Sequence, residues 1–232
     1  MLDRVPSAGW RSGSLVEPLL QFACLPSLAL HPSRVAGLVS PAARAMLEQL
    51  TPDMPSWGRL HRHWSSELVT SLNLAPVSDT TDPALALTLL PQPVWNQVQS
   101  LGGAMLAGPR IRRTIARTQV QALHSQLGAP AFAFACGPAA ALYAGWDAAL
   151  QLAFDQVAPV CFGWGEALQA HALDAATPAV AQRGRLRLPV DAVGMARSPQ
   201  FAQMSPQKAL QLLLSLIERI DPAWLLLFRA TR

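Results

Sequence analysis

Apolar residues recur at three- and four-residue intervals along much of the chain, which is the spacing of amphipathic helices. In the segment SWGRLHRHWSSELVTSLNL, Leu60, Trp64 and Leu68 fall on one side of a predicted helix, and charged residues fall on the other. A second segment, GPRIRRTIARTQVQALHSQLG, predicts a longer helix that starts at Pro109 and ends at Gly128. Its apolar stripe consists of Ala116, Val120, Leu123 and Leu127.

Proline after a capping residue marks further helix starts, because proline at the first helical position has no N–H to leave unsatisfied. This signal occurs at Ser40–Pro41, Ser205–Pro206 and Asp221–Pro222. The segments WDAALQLAFDQV and GEALQAHALDAA predict two more helices, separated by Pro159 and Gly163.

The stretch from Thr177 to Pro199 has a different pattern. It is rich in Arg, Gly and Pro, and Arg185 to Leu188 alternate with a period of two residues. We expect a surface loop at about 177–200, and the alternation leaves open a short β-hairpin near residues 184–195.

Composition agrees with an all-α fold. Hydrophobic residues make up 51% of the 232 residues and charged residues only 14%, which favours helices packed on helices with some apolar surface left for a partner. We expect an irregular multi-helix single domain over 27–232, preceded by an N-terminal arm and short apolar segment over 1–26.

The net charge of +4 comes almost entirely from arginine, since Lys208 is the only lysine. Stripes of basic residues interleaved with aromatics are typical of nucleic-acid binders and are missing, so we expect no nucleic-acid partner. The start of the chain has no apolar run typical of a signal peptide, and the uncharged stretch Ser125–Trp146 is broken by Gly and Pro. We therefore expect a cytoplasmic protein without a membrane span.

Candidate catalytic and metal sites are weak. His61 and His63 would point about 200° apart on a helix, with no Cys or carboxylate nearby to complete a metal site. No phosphate-binding loop or hydrolase motif is present. We expect no catalytic residue, cofactor or metal, although an enzyme whose site assembles from distant groups such as His61, Cys161 and Glu166 remains an alternative.

One candidate binding site is a basic stripe on the predicted 109–128 helix. Arg110, Arg113, Arg117 and His124 follow helical spacing, and Arg112 lies off the stripe. The stripe is either a solvated helix face or a surface that docks an acidic partner, since arginine pairs well with carboxylates. Nucleic-acid binding through the same stripe is the remaining alternative, and it would weaken steeply with salt.

Two segments carry a family resemblance. LHPSRVAGL, soon followed by PAARAMLEQL, and the later GAMLAGPRIRRTIARTQVQALHSQLG resemble the SctK family of type III secretion accessory proteins, known as YscK, OrgA or MxiK. LHRHWSSELV matches the family's Trp-containing helix, and the order of these elements agrees across residues 28–136.

This resemblance implies a cytosolic sorting-platform adaptor that is not an enzyme and uses no cofactor. It implies two protein partners, the cytosolic domain of the inner-membrane ring protein and the pod protein that carries the stator and ATPase. It also implies a location on the cytosolic face of the secretion apparatus, peripheral to the membrane through protein contacts. His31 and Pro32 correspond to an early family element, for which we expect a structural role.

Overall fold

The structure is a computed structural model that describes residues 15–38, 45 and 54–229. Most of the predicted N-terminal arm and the helix start predicted at Ser40–Pro41 lie outside these residues. Within them we find helices and no strand, which confirms the predicted all-α fold. The α-helices are α1 Val16–Cys24, α2 Pro32–Leu38, α3 Pro55–Ser71, α4 Leu85–Thr88, α5 Gln92–Leu106, α6 Gly108–Arg112, α7 Arg117–Leu127, α8 Ala129–Cys136, α9 Ala139–Leu142, α10 Val157–Ala172, α11 Pro178–Leu186, α12 Val190–Met195, α13 Pro199–Ala202, α14 Pro206–Ile220 and α15 Pro222–Arg229.

Local capping explains where the last two helices begin. The hydroxyl oxygen of Ser205 accepts a hydrogen bond from the backbone N–H of Lys208 at 3.2 Å. Asp221 Oδ1 accepts one from the backbone N–H of Trp224 at 3.3 Å. Both bonds satisfy N–H groups that the first helical turn leaves free, so the two predicted starts are confirmed.

The centre of the fold is the crossing of α5 and α10, the most extensive helix pair in the described part of the chain. Two glycines bring the helix backbones into contact. A Cβ on Gly103 would lie 1.8 Å from the carbonyl oxygen of Cys161, and a Cβ on Gly165 would lie 2.1 Å from that of Gln99. Helix α14 packs against both helices and buries the leucine side chains of its apolar face.

The helix predicted from Pro109 to Gly128 is wrong in one respect, because the structure divides it into α6 and α7. Residues 113–116 form the break, and Ala116 has an extended backbone. The break is held by tertiary contacts: Arg112 donates to the carbonyl oxygens of Ala135 and Ala144 at 3.0 and 3.1 Å. The predicted end is confirmed, since Gly128 has a φ of +80°, a conformation that favours glycine.

The surface loop predicted at about 177–200 and the alternative β-hairpin near 184–195 are also wrong. Helices α11, α12 and α13 occupy most of this stretch. The alternation of arginine and leucine left open a strand with arginines facing solvent. In the structure Arg187 is buried together with Leu186 and Leu188, and so is Arg183, one helical turn earlier. Burying arginine requires hydrogen-bond partners, and these come from distant carbonyl groups.

The uncharged stretch Ser125–Trp146 also divides, mainly into the end of α7, α8 and α9. No helix in the described ranges is long and apolar enough to cross a membrane.

Candidate docking surfaces

The His31–Pro32 element forms the start of α2. Pro32 is the first helical residue, and His31 Nδ1 accepts a hydrogen bond from the backbone N–H of Ser33 at 3.2 Å. The same nitrogen lies 2.9 Å from the Ser33 hydroxyl. Burial lowers the pKa of His31 and the Arg34 charge lowers it further, so both disfavour the charged ring.

Residues 31–34 also bind the last residue of α11 and the segment that follows it. The backbone N–H of His31 donates to the carbonyl oxygen of Leu186 at 2.8 Å. Arg34 Nε donates to the carbonyl oxygen of Leu188 at 2.7 Å, and the backbone N–H of Val190 donates to Ser33 Oγ at 3.3 Å. Residues 31–34 therefore support residues 186–190, a long-range contact that the sequence pattern does not indicate.

Arg187 is the charged group buried beneath this contact. It is 7% exposed, its guanidinium carbon lies 4.2 Å from the centre of the Trp95 ring, and it donates to the Thr88 carbonyl oxygen and to Gln92 Oε1. Burial lowers the pKa of Arg187 to about 10, which leaves it charged at neutral pH. Its contacts are thus a cation–π interaction and neutral acceptors.

The four residues predicted as a basic stripe do not share one helix face. Arg110 is half-buried, where its Nε donates to the Leu152 carbonyl oxygen at 3.0 Å and its Nη1 to Thr114 Oγ1 at 3.1 Å. His124 is exposed near the end of α7, with its ring centre 5.7 Å from that of Phe132. Arg113 is exposed at the start of the break between α6 and α7, and Arg117 is exposed at the first position of α7.

An exposed apolar residue lies between these two arginines. Ile115 is 90% exposed, although isoleucine is among the residue types that are most often buried. The loop that presents it is anchored, because Thr114 is buried and its hydroxyl donates to the Arg110 carbonyl oxygen at 3.2 Å. We call Arg113, Ile115 and Arg117 the basic corner. The helical spacing of the sequence indicated its two arginines but gave no sign that Ile115 would be exposed.

A groove of about 350 Å³ lies between α5 and α10. The exposed side chain of Phe162 and the carboxyl group of Glu166 lie on its α10 wall, and polar residues of α5 form the opposite wall. Burial raises the pKa of Glu166, a hydrogen bond from Gln99 opposes the rise and the nearby Asp191 carboxylate adds to it. We call it the acidic groove; its lining residues are His31, Pro32, Gln92, Trp95, Asn96, Gln99, Ser100, Phe162, Glu166, Arg187 and Pro189.

A second groove, of about 390 Å³, is bordered by the other side of the 31–34 element. Its polar lining consists of arginine and glutamine side chains, and its apolar lining comes from α11, α12 and the residues that follow α3. The lining residues are Arg34, Leu72, Leu74, Gln182, Arg185, Leu186, Val190, Val193 and Arg197. The contact between residues 31–34 and 186–190 therefore separates two grooves of different charge.

The groups named for the alternative enzyme do not meet in either groove. His61 is buried elsewhere, with Nδ1 2.8 Å from Ser27 Oγ and its ring centre 4.2 Å from that of Trp57. Burial lowers the pKa of His61 and raises the pKa of the Cys161 thiol to about 12. Only Glu166 lines a groove. In the part of the chain that the structure describes, no cluster of His, Cys, Asp and Glu side chains is suited to a metal ion.

Comparison with known proteins identifies the family to which the chain is similar. A family model described as YOP proteins translocation protein K (YscK) matches residues 24–229. No curated protein and no solved structure matches the chain. The matched range includes the 31–34 element, the basic corner, both grooves and the buried arginines of α11.

Proposed function

The chain belongs to the YscK family of type III secretion translocation proteins, and from this premise we propose that it is a non-enzymatic adaptor of the secretion sorting platform. In this proposal it links the cytosolic domain of the inner-membrane ring protein to the pod protein that carries the stator and ATPase. It acts in the bacterial cytoplasm, at the cytosolic face of the apparatus, and reaches the membrane only through protein contacts.

The observation that carries this proposal is the basic corner. Ile115 offers an apolar side chain that nothing in the described structure covers, and Arg113 and Arg117 flank it. Interfaces commonly combine a central apolar contact with charged groups at the rim, and arginine binds carboxylates through two parallel hydrogen bonds. We therefore propose that the basic corner contacts an acidic patch with an apolar depression on one of the two partners.

The anchoring of this loop supports the same conclusion. Arg110 and Thr114 fix the backbone on the N-terminal side of Ile115 before any partner arrives. A loop that is already ordered loses less conformational entropy on binding than a flexible one. Arg110 thus holds the loop in place through its bonds to Leu152 and Thr114, and we do not assign it a partner contact.

Affinity recovery from cells that carry the complete apparatus tests the adaptor function. The tagged wild-type chain should recover both the ring protein and the pod protein. The double variant Arg113→Glu, Arg117→Glu should recover one of them about tenfold less, because each charge reversal places like charges across the contact. The matched control is Arg59→Glu, Arg62→Glu, which makes the same charge change on exposed residues of α3.

Each outcome has a distinct meaning. If the control recovers both partners and the basic-corner variant loses one, the corner is a contact surface. Equal recovery by both variants would move the contact elsewhere and leave the adaptor function standing. Recovery of neither partner by the wild-type chain would refute the adaptor function.

A further inference from the structure

The acidic groove lies apart from the basic corner. Its α5 wall is in the N-terminal half of that helix, whereas the corner follows α6, beyond the C-terminal end of α5. A rise of about 1.5 Å per residue places Asn96 and Leu106 roughly 15 Å apart along the helix axis. The two surfaces have no residue in common, so substitutions can be made on one of them without altering the other.

Glu166 contributes the carboxylate that lines this groove, and the Asp191 carboxylate lies near enough to raise the pKa of Glu166. Arg187 is only 7% exposed; its two Nη groups are hydrogen-bonded to Thr88 and Gln92, and its buried Nε has no partner among the described residues. Burial and the Arg34 charge lower the pKa of His31, so both disfavour a positive charge on its ring. Glu166 is half-buried, and neither it nor Asp191 forms an ion pair with any residue that the structure describes.

An apolar surface adjoins these carboxylates. Phe162, one helical turn before Glu166, is 40% exposed, and Met195 is 39% exposed. Met195 packs next to the residue that follows Phe162, because its methyl group lies 3.1 Å from where a Cβ on Gly163 would stand.

The opposite wall offers hydrogen-bond donors for a peptide backbone. Arg187 donates to Gln92 Oε1 at 3.1 Å, and Gln92 Nε2 donates to Asn96 Oδ1 at 2.8 Å. This chain of hydrogen bonds orients the Asn96 amide and leaves its Nδ2 group without an acceptor among the described residues. An amide nitrogen held in this way can donate to a peptide carbonyl group.

We propose that the acidic groove binds a segment of a partner protein that presents a lysine or arginine next to an apolar side chain. The cation lies against Glu166 and the apolar side chain against Phe162. Charge complementarity selects this occupant, because an acidic segment would bring its carboxylates against Glu166 and Asp191. The proposal rests on the adaptor function, for which it supplies a second contact with chemistry opposite to that of the basic corner.

Site-specific photo-crosslinking in cells with the complete apparatus tests this proposal. Phe162→p-benzoylphenylalanine places the probe in the groove, and Ile115→p-benzoylphenylalanine places it on the basic corner. The adduct at position 162 should contain a partner peptide with a lysine or arginine within two residues of an apolar side chain. Adding Glu166→Lys should reduce this adduct about tenfold, with Glu166→Gln giving a smaller loss and both variants retaining the wild-type melting temperature.

A charge exchange provides the decisive step. Replacing the cation in the crosslinked segment with glutamate should restore the adduct in the Glu166→Lys chain. A crosslinked segment without a cation, an adduct insensitive to Glu166→Lys, or a failed charge exchange would overturn the proposal. An adduct at position 115 without one at 162 would reject the groove and leave the adaptor function standing. No adduct at either position would reject both surfaces as contacts, and the adaptor function would then depend on whether the wild-type chain recovers the two partners by affinity.

Discussion

Gly103 lies where α5 and α10 touch through their backbones, and we expect Gly103→Ala to force the two helices apart. The added Cβ would stand 1.8 Å from the carbonyl oxygen of Cys161, whereas ordinary van der Waals contact begins at 3.4 Å. The backbones must therefore separate locally by about 1.6 Å. Backbone atoms cannot rotate out of the way as a flexible side chain does.

The energetic cost follows from this displacement. Overpacking a core costs about 1–3 kcal/mol when side chains can adjust, and more when they cannot. A gap of 0.5–1 Å already removes about a quarter to a half of the dispersion energy of the atom pairs that it separates. We therefore expect Gly103→Ala to lower the free energy of unfolding by about 3–5 kcal/mol, which corresponds to a fall in melting temperature of roughly 6–20 °C for a chain of this size.

Thermal and urea unfolding followed by circular dichroism measure this change. Gly165→Ala should have a similar effect, because its Cβ would stand 2.1 Å from the Gln99 carbonyl oxygen. Gly58→Ala is the matched control: it lies in α3 with nothing within 4 Å of the added Cβ, so we expect a gain of up to about 1 kcal/mol. If Gly103→Ala unfolds within about 1 kcal/mol of the wild-type chain, the reasoning about this helix crossing is refuted.

Three further predictions concern Arg187, His61 and the three cysteines. Arg187→Ala should lower the free energy of unfolding by about 2–4 kcal/mol in urea titrations, because it leaves a buried carbonyl group unpaired and a cavity beside Trp95. Burial holds the pKa of His61 below 6.5 in the folded chain, so the unfolded chain binds a proton more readily than the folded chain. The contribution of His61 to stability is therefore complete above pH 6.5 and is lost as the pH falls. The free energy of unfolding of His61→Asn, measured by urea titration, should change less between pH 7 and 5 than that of the wild-type chain. Native alkylation at pH 8 should modify the exposed Cys24 and Cys136 and spare the buried Cys161, and rapid modification of all three thiols would contradict the packing of α10.

Features of the fold with local causes could be predicted from the sequence. The starts at Ser205 and Asp221 depend on side chains that bond to backbone three residues away, and the end at Gly128 depends on one residue's preference for positive φ. The apolar stripe of α7 is correct at Leu123 and Leu127, which are buried. Each of these signals lies within a single turn of the chain.

The features that define the candidate surfaces have distant causes. The break that exposes Ile115 is held by bonds from Arg110 to Leu152 and from Arg112 to Ala135 and Ala144, and helical spacing alone gives no sign of it. The burial of Arg187 depends on acceptors contributed by α4 and α5, against the usual exposure of arginine. The acidic groove likewise requires α5 and α10 to cross, so Glu166 appeared in the sequence as an isolated carboxylate.

The buried arginines of α11 have a consequence for the order of events during synthesis. Arg183 bonds to carbonyl groups of Ala23 and Ala75, which precede it by 160 and 108 residues, and Arg187 bonds to that of Thr88, 99 residues earlier. A ribosome adds about 5–20 residues per second. The Ala23 carbonyl group is therefore synthesised roughly 8–32 seconds before Arg183, its hydrogen-bond donor. The carbonyl groups of Ala23 and Ala75 must spend the interval before Arg183 is made without their bonds to it. Nascent chains arrested before residue 183 should therefore be cut by protease near these two residues more readily than completed chains.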